Sequence, residues 1–136
     1  MQRLLLLLVF ACLTACSVEQ APLLADNVRV TRPLPGVRTG AGYLTLRNTT
    51  SQKIAISKVT SPDFKSVTMH ESVLEDGISR MYELQEVVIL PGRSVTLEPG
   101  GMHLMIRHRV ETPAQATLQF YAGEAMMLSL DVMLEE

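Results

Sequence analysis

The chain reads as all-β, an antiparallel sandwich or barrel of seven or more short strands. Three observations predict this: apolar residues alternate with polar ones at a period of two, turn formers separate the runs, and no stretch has helical periodicity. Taken in order, Val28 and Val30 share one face of the first run, followed by Leu44 with Leu46, Ile54 with Ile56, and Val67 with Met69. The pattern continues in Val95 with Leu97, in Leu118 with Phe120, and in Met126, Leu128, Leu130, Val132 and Leu134. Residues 33–42, 48–52, 61–63, 75–77, 91–92, 99–101 and 122–124, rich in Gly, Pro, Asn and Asp, read as the connections. Trp is absent and only three Phe and three Tyr occur, so the core must be aliphatic and Met-rich. Met69, Met102, Met126, Met127 and Met133 read as its filler.

The N-terminus speaks for a cell-envelope destination. Arg3 precedes Leu4 to Phe10, an apolar run too short to span a bilayer as a mature helix, which reads as a secretory signal. It ends in Leu13-Thr14-Ala15-Cys16, which resembles the lipobox of bacterial lipoproteins. In that class the Cys is acylated and becomes the first mature residue. The expected layout is a signal peptide over 1–15, a tether over 16–26 starting at lipidated Cys16, and one domain over 27–136. Ser17 after the Cys favours the outer membrane if the cell is Gram-negative.

Composition then removes whole classes of function. The chain has two Cys; Cys12 leaves with the signal and Cys16 carries lipid, so no disulfide, thiol nucleophile or Cys-ligated metal site fits the mature domain. Losing residues 1–15 removes one Arg and no acid, taking the formal charge from −2 to −3. That value, spread along the chain, speaks against nucleic acid as a partner. Membrane contact is expected only through the lipid anchor.

Four residues carry the chemistry: His70, Met81, His103 and Met105. Two imidazoles and two neutral, polarizable thioethers are the donor set of a soft monovalent ion, Cu(I). His103 and Met105 stand two apart and project from one face of a strand. His70 has the parity of Thr68, opposite Val67 and Met69, and an Asp-Gly turn signal between His70 and Met81 predicts a hairpin that lets the two face each other. These placements predict a site at one rim of the sandwich. His108 lacks the parity of His103 and Met105 and reads as a surface or satisfied histidine, and Glu71 and Glu83 read as solvated.

The spacing of this set, with ten residues between His70 and Met81, twenty-one between Met81 and His103 and one between His103 and Met105, resembles the copper-binding pattern of the periplasmic PCu(A)C copper chaperones. The flanks are similar too: Gly42-Tyr43-Leu44-Thr45-Leu46-Arg47-Asn48, Met69-His70-Glu71 and Pro99-Gly100-Gly101-Met102-His103-Leu104-Met105. The likeness runs from about Val28 to the C-terminus. It implies a cupredoxin-like Greek-key β-sandwich, one Cu(I) per chain on those four ligands, and no enzymatic activity. It also implies delivery to a copper-accepting protein such as cytochrome c oxidase subunit II, with its CuA centre, or an assembly factor. A monomer is expected. Ile106-Arg107-His108-Arg109 is more basic than the matching stretch of that family. Copper buffering, or a lipid-anchored interaction module with an incidental His/Met cluster, are the other functions compatible with these residues.

Overall fold

The computed structural model describes residues 21–135; the signal peptide, Cys12, Cys16 and Glu136 lie outside that range. Among the described residues there are eleven strands and no helix. They are β1 (Leu23–Thr31), β2 (Thr39–Asn48), β3 (Ile54–Ile56), β4 (Lys58–Thr60), β5 (Ser66–Glu75), β6 (Ile78–Glu83), β7 (Val87–Ile89), β8 (Ser94–Leu97), β9 (Met102–Arg107), β10 (Gln115–Ala122) and β11 (Ala125–Glu135). The main sheet runs β4-β10-β11-β1-β2-β9-β5-β6, with β8 also on β2, and β3 pairs with β7 in a second small sheet. The pairings are antiparallel except one: β1 and β11 run parallel, with Val30 beside Leu134. The expected all-β architecture of seven or more antiparallel strands is found, and the single parallel contact between the first and last strands makes the main sheet mixed.

One buried cluster fills the interior. Leu44, Leu46, Leu104, Ile106, Val67 and Met69 enter it from β2, β9 and β5; Leu118, Phe120, Val132 and Leu134 from β10 and β11; and Ile54, Ile56, Val87 and Ile89 from the small sheet. Because strand parity is strict, the alternate residues of β2, β9 and β5 point outward. Met69 is core as expected, but Met126 and Met133 are more than half exposed, so their reading as filler is wrong. Met133 has the parity opposite to Val132 and Leu134. Met126 lies beyond a bulge, since Phe120 faces Leu128 while Tyr121 faces Met126, leaving Met127 extra.

Two further boundaries move. Leu23 is fully buried and pairs with Asn48, so residues 23–26, read as tether, belong to β1. The sequence hid this because a bulge between Asp26 and Arg29, with Asn27 at φ 52°, switches the inward parity from Leu23 to Val28 and Val30. Gly40 and Gly42, read as turn formers, sit inside β2 instead. A Cβ on Gly42 would stand 3.1 Å from Leu104 Cβ, and one on Gly40 2.8 Å from His108 Nε2. Glycine serves there for close approach of strands, not for a turn.

Candidate metal centre

The local folding of β5 and β6 follows from its turn. Asp76 and Gly77 both take positive φ, 51° and 77°, as a two-residue hairpin connection requires. That turn sets the register, with His70 opposite Glu83, Ser72 opposite Met81 and Glu75 opposite Ile78. On the other side of β5, His70 faces His103 and Thr68 faces Met105. Opposed residues share a sheet face, so His70, Met81, His103 and Met105 all lie on the outer face of β9-β5-β6. The structure brings together all four sequence-predicted residues. It moves them, however, from the rim to the face: β5 continues to Glu75, so His70 sits in mid-strand.

The loop 98–101 interrupts what would be one long partner of β2. Leu44 to Arg47 pair with β8, and Thr39 to Gly42 pair with β9. Between them Pro99 and Gly100 swing out, Gly100 at φ 83°, and line a hollow of about 590 Å³ together with Leu34, Met81, His103 and Met105. A second hollow of about 390 Å³, lined by Thr68, His70, Glu83 and Arg107, lies on the other side of Met105, which lines both.

Each of the two histidines on this face has one ring nitrogen held and one left over. His103 Nδ1 lies 3.0 Å from Gly101 O; a carbonyl only accepts, so Nδ1 carries the proton and Nε2 keeps its lone pair. Gly101 O also accepts from Ser72 N–H at 3.1 Å, which locks the loop to β5. His70 Nε2 is 2.9 Å from Thr68 Oγ1, and its Nδ1 is buried with no protein partner. The two rings stack, centroids 6.0 Å apart. Burial holds the His70 pKa below 6.5; Glu83 pulls against this and His103 adds to it. Burial thus favours the neutral form of His70, the form in which an imidazole can bind a metal. Met81 is half exposed, and among the described residues no group of three or more His, Cys, Asp or Glu is placed to hold a metal ion.

Glu83 was read as solvated; it is exposed, but it stands directly across from His70 and belongs to this surface. His108 is corrected more sharply. It is 1% exposed, packs edge-on to Phe64 at 5.0 Å, and neither ring nitrogen has a partner. Its parity with Leu104 and Ile106 was the available signal.

A β-sandwich of this kind has known counterparts. The chain superposes on the "Copper-bound PCuAC domain from PmoF2" with a TM-score of 0.66 at 20% identity, covering 84% of this chain and 92% of that one. It superposes on the "Solution structure of apo-DR1885 from Deinococcus radiodurans" with a TM-score of 0.61 at 18% identity, covering 100% and 97%. The fold is thus that of PCuAC domains. Residues 23–132 match the family described as "Putative lipoprotein LpqE-like", and the chain belongs to that family. The match begins at Leu23, where β1 begins. A relative from Leifsonia xyli subsp. xyli (strain CTCB07), "Putative lipoprotein Lxx21020", is 29% identical over 88% of this chain and 81% of its own length.

Proposed function

We propose that this protein is a Cu(I) carrier that binds one ion through His70, Met81, His103 and Met105 and passes it to a copper-accepting protein in the cell envelope. The observation that carries the reading is the register: four soft or borderline donors meet on one outer sheet face, each imidazole with a nitrogen to spare. That a domain of the same fold is copper-bound supports it. Thioethers carry no charge and suit reduced copper, so an acceptor offering thiolates can take the ion by stepwise ligand exchange. Met81, half exposed on an edge strand, is the ligand such an acceptor reaches first. The CuA centre of cytochrome c oxidase subunit II, or an assembly factor that serves it, fits this role.

Membership of a lipoprotein-like family supports acylation at Cys16 after removal of residues 1–15, with the domain held on the periplasmic side of a membrane. The test is a competition titration of the full chain against a chromophoric Cu(I) chelator. One tightly held Cu(I) per chain is expected. Met81→Ala and Met105→Ala should weaken it by at least the roughly 10–100-fold that loss of an outer-shell partner costs, with little effect on Cu(II). Equal losses for both oxidation states would contradict thioether ligation.

A further inference from the structure

The β5-β6 hairpin ends the main sheet, and all six residues of β6 are exposed. Its hydrogen bonding can be counted from the turn. In a two-residue hairpin the closing pair, Glu75 with Ile78, exchanges both bonds, and every second pair after it does the same. Leu84 N–H donating to Met69 O at 2.8 Å falls on that series. Residues 78, 80 and 82 therefore spend their backbone groups on β5, and the N–H and C=O groups of Ser79, Met81 and Glu83 point outward from the sheet. Open edges are commonly blunted by charged side chains, but here the cation is turned away. Arg80 Nε is held 3.1 Å from Glu75 Oε2, and Tyr82 donates its hydroxyl to the same oxygen.

We propose that this edge pairs with the β6 of a second copy of this chain, antiparallel, with the two-fold axis at Met81. A closed two-fold interface needs a self-complementary patch, and this register supplies one. Ser79 lies opposite Glu83 of the second copy, Arg80 opposite Tyr82, and Ile78 opposite Leu84, so no like charges oppose each other. Ser79, Met81 and Glu83 each meet an outward-facing partner, giving six backbone hydrogen bonds. Moving the axis to Arg80 opposes two guanidinium groups, and moving it to Tyr82 leaves Ser79 against Gln85, beyond the strand. Ile78 and Tyr82, both about half exposed in the single chain, become covered.

The pairing revises the expectation of a monomer and has a consequence for the site. The two Met81 residues form a directly opposed pair with Cα atoms about 5.5 Å apart. The two His70 strands stand about 14 Å apart, three strand spacings of about 4.8 Å. Each copy thus brings a second thioether beside its neighbour's ligand set, and the pair covers the face by which an acceptor would reach Met81. Dimer and hand-over then compete for one edge.

The experiment needs no metal, so its outcome is separate from that of the copper titration. Sedimentation equilibrium of the metal-free full chain in detergent, from about 1 to 200 µM, should show a reversible monomer–dimer equilibrium. Oxidising the Ser79→Cys/Glu83→Cys double variant should give a covalent dimer as the main product, because the two positions within one chain are about 13 Å apart and cannot bridge. Ser79→Cys alone should not exceed the unsubstituted chain. A monomer throughout the range would overturn the proposal. So would a dimer in which the double variant cross-links no better than Ser79→Cys alone.

Discussion

His70 and His108 are both buried imidazoles, and what separates them is their partners. His70 has Thr68 on one nitrogen and no protein partner on the other; His108 has nothing on either. Burial, aided by the positive charge of Arg32, lowers the His108 pKa below 6.5. Above that pH both folded and unfolded states are neutral here and the residue adds no pH dependence. As pH falls through 6.5 the unfolded chain takes up the proton first, so stability is lost down to the lower folded pKa. Denaturant midpoints between pH 7.5 and 5.0 should therefore fall more for the wild type than for His108→Leu; parallel curves would refute this. The same burial acts on His70 through copper. Protons compete with Cu(I) for imidazole, so affinity should weaken on acidification, with the His70 contribution setting in below 6.5. Affinity constant from pH 7.5 to 4.5 would contradict histidine ligation. That His70, Met81, His103 and Met105 share one sheet face was legible in the sequence, because spacing and parity are sequence properties. The buried state of His108 was equally written in its parity with Ile106, but its lack of parity with His103 and Met105 pointed to surface rather than to core.

At the scale of elements, the strands of the sandwich were legible wherever alternation ran unbroken, as in Leu44 with Leu46 or Leu118 with Phe120. It failed at the bulges. One extra residue at Asn27 and one at Met127 reverse which side chains face inward, and no local pattern announces them. Glycine misled for a related reason. Gly40 lies where β2 crosses Thr31 and the His108 ring, so a methyl group there meets the Thr31 carbonyl and the imidazole together. Gly40→Ala should cost about 1–3 kcal/mol, the usual penalty of overpacking, measured as a lower urea midpoint. An unchanged midpoint would mean that β1 and β2 have slack at that point. The 98–101 loop is a second case: Pro99-Gly100-Gly101 was legible as a turn, but not that its last carbonyl would orient His103.

For the whole molecule, the direction of β1 orders the parts. Leu23, nearest the proposed anchor, is level with Asn48, whereas Met105 is level with Ala41, seven residues or about 23 Å further along β2. Met105 therefore lies toward the opposite end of β2 from the start of β1. Cys16→Ser should release the protein from the membrane fraction and leave its Cu(I) affinity unchanged; a changed affinity would show that the lipid acts on the site. The parallel contact of β1 with β11 could not be read from sequence, since it joins strands from opposite ends of the chain that no turn connects. The central claim is the ligand set itself, and Cu K-edge X-ray absorption of the chain loaded with one Cu(I) tests it most directly. The account predicts a first shell of two sulfur and two nitrogen atoms that loses sulfur in Met81→Ala and in Met105→Ala, and a shell of nitrogen and oxygen alone would contradict it.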